Sequence, residues 1–304
     1  MKSLRFFLPV VVTILILVFL FLGIDLERVS DTFNASNKAL LIFSPIVLVV
    51  AHICSAFRWK MILSVLNHKE SFKNLLMLYF ANMPISKIVP ASGGEFLRAY
   101  YLKDKVPVAR HSGGIFMGIL LDIASLAAMA VLGGAITDDI RAIFFGLFVF
   151  LSVLGFLYFA KNFKINAAKN WQIKAENFFY FFKKSLNNPR LLFLIIFYTL
   201  FTWLLVIAFI KVLFLAFDFN MPILKIIAIH PIVTLISLAP ISIWGIGTRE
   251  AVMLYLYSGL APAPSILSVG LTQSIIGVIV LPLIFAPFTY KTIKEMIFRS
   301  KSKL

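Results

Sequence analysis

Eight apolar runs, each near the length of a membrane crossing, follow one another along the chain and leave room for little else. They cover Phe6–Ile24, Ala39–Phe57, Asn74–Val89, Ser112–Ile136, Ala142–Ala160, Leu191–Phe217, Ile223–Ile243 and Ser265–Tyr290. A helix needs about 20 predominantly apolar residues to span a bilayer, so the sequence describes an all-α polytopic membrane protein. Composition agrees: 61% of the 304 residues are apolar and 14% are charged, against roughly 25% charged in soluble domains. That balance excludes a soluble globular enzyme, a disordered chain and a disulfide scaffold. The single Cys54 leaves no pairing within the chain. His52, His68, His111 and His230 lack the spacing of zinc ligands. No metal and no cofactor is expected.

The net charge is +16. In a membrane protein such an excess belongs to cytoplasmic loops, which accumulate Lys and Arg, so no nucleic-acid partner is inferred. The first run follows Lys2 and Arg5, as a signal peptide would. It is nevertheless of span length and is followed by acidic Asp25 and Glu27 rather than a small-residue cleavage site, so it reads as a retained helix.

Loop charge then orients the chain. Segments 25–38 and 137–141 are acid-rich and read as external. Segments 58–73, 95–111, 161–190 and 291–304, with Lys2 and Arg5, hold 22 of the 29 basic residues and read as cytoplasmic. Both flanks of Asn74–Val89 are therefore on one side, and that run is expected to be a re-entrant hairpin turning near Pro90–Gly94. By the same logic 223–262 enters and leaves from outside, turning near Pro240–Gly247. The expected architecture is six full spans plus two re-entrant helical hairpins, about eight helical segments. Residues 1–138 form a first repeat and 139–290 a second of inverted topology, within a single membrane domain 1–304. A basic tail, 291–304, follows. Residues 161–190 mix Lys161, Lys164, Lys169 and Lys174 with Phe163, Trp171, Phe178 and Phe182. They read as a basic amphipathic connector at the cytoplasmic leaflet, with Lys161 to Lys184 meeting anionic lipid.

Ionisable groups at membrane depth are costly and mark function by default. They are His52, Lys87, Glu95, Arg98, Asp122, Lys211, His230, Arg249 and Glu250. Glu95 and Arg98 stand three apart after Gly93-Gly94, where helical spacing lets them pair. Ser92 and Glu95 also fit a capping box, a purely structural role. Arg249 and Glu250 follow Gly245-Ile-Gly247-Thr248, with Thr248 as the expected N-cap. Glycine turns, free helix N–H groups and an Arg fork together suit a phosphate or carboxylate. Should both hairpins meet, their four charges can neutralise one another without ligand. Asp122 is a candidate either for ion coupling or for a partner of Lys87 or a buried Arg, with Gln273 or Ser274 at the matching place in the second repeat. His52 and His230 read as interior residues, and Lys87 and Lys211 as snorkelling ones. There is no Gly-Lys-Ser/Thr phosphate loop, no metalloprotease helix motif and no Gly-x-Ser-x-Gly turn. No catalytic residue is assigned, and the chain is not expected to be an enzyme.

At Pro90-x-x-Gly-Gly-Glu-x-x-Arg98 and Gly245-x-Gly-x-Arg-Glu250 the chain resembles the family named for the transmembrane region of lysylphosphatidylglycerol synthase, also called flippase-like or UPF0104 proteins. The resemblance covers nearly the whole chain. It implies a multi-pass protein of the bacterial inner membrane, with both termini cytoplasmic, that moves an anionic or headgroup-modified phospholipid, polyprenyl lipid or glycolipid between leaflets. The implied headgroup site is Gly93, Gly94, Glu95, Arg98, Gly245, Gly247, Arg249 and Glu250. Many relatives carry a Glu-Arg pair just before the position of Asp122, where this chain has Gly118 and Ile119. The aminoacyl-transferring domain of the synthase is absent from this sequence. Two other expectations compete with transport. One is a non-catalytic partner of a separate lipid-modifying synthase. The other is an intramembrane headgroup enzyme using a Glu as base.

Overall fold

Helices account for nearly every residue that the computed structural model describes, which are 4–23, 25–87, 93–162 and 169–301, and no strand occurs among them. The helices are α1 (Leu4–Gly23), α2 (Leu26–Ala35), α3 (Lys38–Val65), α4 (Phe72–Ser86), α5 (Leu97–Tyr101), α6 (Val108–Thr137) and α7 (Ile140–Asn162). They continue with α8 (Lys169–Leu186), α9 (Pro189–Ala216), α10 (Ile223–Ser237), α11 (Thr248–Leu256), α12 (Ala263–Ile275) and α13 (Leu281–Lys301). A π-helical turn at Ile276–Val280 joins α12 to α13.

Five helices are long and apolar enough to cross a membrane: α3, α6, α7, α9 and the run Ala263–Glu295. The bent pair Pro9–Gly23 and Leu26–Ala35, at 87°, brings the number to six if it makes one span. On α7, Phe144, Phe148 and Leu151 are exposed, as a lipid-facing surface requires. Helices α4 and α10 have 15 residues each, about 22 Å at 1.5 Å per residue, which is short of a hydrocarbon core of about 30 Å. Each is followed by a break and a short helix.

Several boundaries depart from the sequence reading. Segment 25–38 was expected to be a connecting loop, yet it holds α2. Asp25 caps α2 by accepting the Glu27 N–H at 3.0 Å. The Phe33 ring meets Phe217 edge-on at 5.0 Å. Helix α3 runs on to Val65, so Arg58 and Lys60 are helical rather than loop charges. Residues Ile88 to Ser92, with the proposed Ser92 cap, lie outside the described residues, as do Phe163 and Lys164.

The chain forms two compact units. One comprises residues 1–50, 126–149 and 203–280, and the other 51–125, 150–202 and 281–304. Each draws on both sequence repeats, because α3, α6, α7 and α9 contribute residues to both units. In the first unit, Ala130, Ala142 and Ile232 make a small core. In the second, Ile62, Leu120, Leu121, Phe181, Phe182 and Ile195 lead a larger one.

Helix α8 belongs to that second core. Phe181 and Phe182 are sealed inside the protein, and a Cβ on Gly113 of α6 would stand 2.1 Å from the Phe178 carbonyl oxygen. The connector therefore turns Phe178, Phe181 and Phe182 to the protein's own helices. Trp171 stays exposed, with Lys174 Nζ 5.5 Å from its ring centre.

Candidate functional site

Each unit contains one of the two short broken helices, α4 and α10, and the turn that follows each carries one acid and one arginine. In the unit holding α4 and α5, the chain returns after the break as a 3-10 turn, Gly93–Phe96, that runs into α5. The turn lies directly on α4. A Cβ on Gly94 would sit 2.3 Å from Ser86 Cα, and Asn82 Nδ2 donates to the Gly94 carbonyl at 3.2 Å. Glycine here answers a need for close approach.

Arg98 leaves α5 beside this turn and donates to the Glu95 carboxylate. Its guanidinium also covers two aromatic faces, 5.1 Å from the Tyr79 ring centre and 5.5 Å from Trp59. Both contacts are cation–π in character. The Arg98 side chain is 8% exposed and that of Glu95 34%, so the cation is held and the anion is the accessible member. Tyr79 and Trp59 are themselves fixed: His52 Nδ1 lies 3.3 Å from the Tyr79 hydroxyl, and Trp59 Nε1 donates to His111 Nε2 at 2.7 Å.

Asp122, expected either to couple an ion or to partner Lys87 or a buried Arg, meets a guanidinium. Arg58 Nη1 donates to its Oδ1 at 2.5 Å and to Thr199 Oγ1 at 3.3 Å, which joins α3, α6 and α9 inside this unit. A buried pair of this kind is held by both charges. Removing one costs about 3–5 kcal/mol because the other stays buried alone. Gly118 faces the same pair, since a Cβ there would lie 4.0 Å from Arg58 Cζ. Loop charge places Arg58 in a cytoplasmic segment, but no helix breaker stands between Phe57 and Val65, and α3 carries on through it.

The second break is built differently. After α10, Trp244, Gly245 and Gly247 all take positive φ, of 52°, 77° and 83°. The N-cap of α11 is Gly247 rather than Thr248. Thr248 is the first helical residue and donates to Ser242 Oγ at 2.8 Å. Glu250 reaches back to accept the Gly247 N–H at 2.6 Å, and its other oxygen accepts from Ser274 Oγ at 2.6 Å. Its side chain has no exposure. Arg249 Nη1 donates to that same Ser274 oxygen at 2.7 Å, and Nη2 to the Trp244 carbonyl at 3.3 Å. Ser274 therefore links the two charges as a relay. Thr13 of α1 accepts the Ile243 N–H at 2.8 Å and steadies the turn.

The two breaks share residue types and invert their exposure. The first buries its arginine and opens its acid. The second buries its acid with both oxygens occupied and leaves its arginine half-buried. His230 reaches Gln273 at 3.4 Å within the first unit. Lys211 donates to Asn220 and to the Met221 carbonyl, so it ties a loop rather than snorkels. Among the described residues, no three His, Cys, Asp or Glu side chains gather as metal ligands would.

A family model described as the lysylphosphatidylglycerol synthase TM region matches residues 6–284. The chain belongs to that family. Two curated members of related name are similar to it. A UPF0104 membrane protein of Methanocaldococcus jannaschii is 28% identical over 154 residues, 48% of this chain and 42% of the relative. A UPF0104 membrane protein of Methanothermobacter thermautotrophicus is 27% identical over 272 residues, covering 77% of this chain and 75% of the relative. The glycosyltransferase AglD of Haloferax volcanii is 28% identical over 139 residues, 43% of this chain and 22% of AglD. The chain thus spans less than half the length of the first and about a fifth of the last. Membership in the lysylphosphatidylglycerol synthase TM region family agrees with the multi-pass helical architecture.

Proposed function

We propose that this protein carries a lipid with an anionic or modified headgroup from one leaflet to the other. The observation that bears most weight is the Glu95–Arg98 pair. A cation held between Tyr79 and Trp59 beside a broken helix, and neutralised by a partly exposed carboxylate, is arranged for exchange. An arriving phosphate can take Glu95's place on Arg98. A basic headgroup group can bind the released Glu95. Broken helices supply free N–H groups at depth, and that plan recurs in transporters. The half-buried Arg249, with the backbone beyond Gly245 and Gly247, supplies a comparable donor set in its own unit. Glu250 serves there to hold the turn, and Asp122 to neutralise Arg58. Membrane placement with basic loops and both termini in the cytoplasm of a bacterial cell, and contact of Lys161 to Lys184 with anionic lipid, belong to the same reading.

Leaflet exchange in proteoliposomes tests it. Labelled anionic, aminoacylated and polyprenyl-phosphate lipids would be followed by their accessibility to an impermeant reagent. Exchange selective for one lipid and lost in Glu95→Gln is the expected result. Folded protein that exchanges none of them, with or without a proton gradient, would overturn it. AglD is named a glycosyltransferase, which keeps a second reading in view: a membrane partner for a separate enzyme that modifies a lipid. In that case substitutions on α8 would abolish cellular function while Glu95→Gln would not.

A further inference from the structure

We infer that Arg58 is a second anion-binding guanidinium, and that Arg58 and Arg98 together recognise the phosphodiester of a lipid headgroup. This deepens the transport reading and rests on it for the source of the ligand. The geometry is specific. Both hydrogen bonds of Arg58 use Nη1, to Asp122 and to Thr199. Its Nε and Nη2 make no hydrogen bond among the described residues, and neither is sealed from accessible space. A guanidinium at this depth with three of its five N–H donors unspent is costly unless something else takes them. Trp59, the residue after Arg58 on α3, lies against the Arg98 guanidinium at 5.5 Å. Both guanidiniums therefore lie along the same part of α3, each carrying its own carboxylate: Asp122 for Arg58 and Glu95 for Arg98. A phosphodiester offers two oxygens that an Arg fork can grip. Its single negative charge would displace Glu95, the accessible acid, while Asp122 stays in place, so the site keeps near neutrality in both states. A Cβ on Gly118 would already touch Ile62 at 3.5 Å and Arg58 Cζ at 4.0 Å.

The test uses the full-length protein in detergent, with dioctanoyl phosphatidylglycerol as probe and thermal unfolding as readout. Dioctanoylglycerol, which has the tails without the phosphate, and inorganic phosphate are run beside it. Phosphatidylglycerol is expected to raise the unfolding midpoint of the wild type, and the other two are not. Arg58→Gln alone strands Asp122 and can simply misfold, so the deciding variant is Arg58→Gln with Asp122→Asn, which removes the pair as a neutral unit. That double variant should fold with a midpoint near the wild type and bind phosphatidylglycerol about ten-fold or more weakly, the loss expected of a charged hydrogen bond. Wild-type affinity in the double variant would reduce Arg58 to a helix-joining ion pair and overturn the inference. So would equal binding of inorganic phosphate, or no response to phosphatidylglycerol. The two readings fail separately. Arg58-dependent binding without leaflet exchange removes transport and keeps this site. Exchange unaffected by the double variant keeps transport and removes this site.

Discussion

At the scale of single residues, the glycines and acids of the two breaks are not equivalent, and substitutions separate them. Alanine at Gly94 would place a methyl group 2.3 Å from backbone of α4, which no rotamer can relieve. Gly94→Ala should therefore lose about 1–3 kcal/mol or more of stability. Gly155→Ala is the internal control. Nothing lies within 4 Å of that position, and a helix-interior alanine gains about 0.5–1 kcal/mol over glycine. Thermal unfolding in one detergent compares them. The acids divide by task. Glu250 has both oxygens engaged and no exposure, so Glu250→Gln should cost about 1–3 kcal/mol through the bonds it disturbs. Glu95 is a third exposed. Glu95→Gln should change stability by about 1 kcal/mol or less while leaflet exchange falls. Unfolding midpoints and exchange rates on the same preparations check both statements. Glu95 and Arg98 were legible from spacing alone, because i and i+3 share a helix face. Arg58 was not, since its partners Asp122 and Thr199 are far away in sequence.

Elements show where local pattern and packing disagree. Helix α8 has the pattern of a surface-lying amphipathic helix, yet Phe181 and Phe182 are consumed by the protein's own core. Amphipathicity states that one face is apolar and leaves open what covers it. The link from α3 to α4 carries a polar clasp. Glu70 accepts from Lys105 Nζ at 2.6 Å and from Asn74 Nδ2 at 3.0 Å, and His68 Nε2 lies 3.2 Å away. Burial alone would push the Glu70 carboxyl up. The hydrogen bonds from Lys105, Asn74 and His68, with the Lys105 charge, outweigh it and hold the group below its ordinary 4.5. A carboxyl depressed in the folded state binds protons more readily when unfolded. Its stabilising share is therefore full above about 4.5 and is lost as pH falls through the lowered value. Glu70→Gln should unfold at a lower temperature than the wild type at pH 7. The gap should close as pH is taken below 4, and a gap unchanged between pH 7 and 3.5 would refute the clasp.

On the scale of the whole molecule, topology is the next quantity to measure. The sole cysteine, Cys54, is buried, so a Cys54→Ala background allows single reporters to be placed at will. Asp31→Cys and Asp138→Cys should react with an impermeant thiol reagent from outside intact cells. Lys103→Cys and Lys183→Cys should react only after the membrane is opened. The reverse pattern would invert the orientation and, with it, the inside–outside assignment of both breaks. The all-helical class and the long apolar spans were decided by sequence alone. Apolar length and the need of every backbone group for a partner in hydrocarbon leave no other solution. Loop charge added an orientation from the same source. Tertiary structure alone decided which charges meet. A helix boundary moved by eight residues took Arg58 out of a loop and set it against Asp122. A positive-φ glycine displaced Thr248 from the cap. Ser274, ordinary in sequence, became the bridge between Arg249 and Glu250. Such facts depend on which faces of distant helices come together, and hydrophobic length is indifferent to that choice because every one of those helices is apolar on several sides.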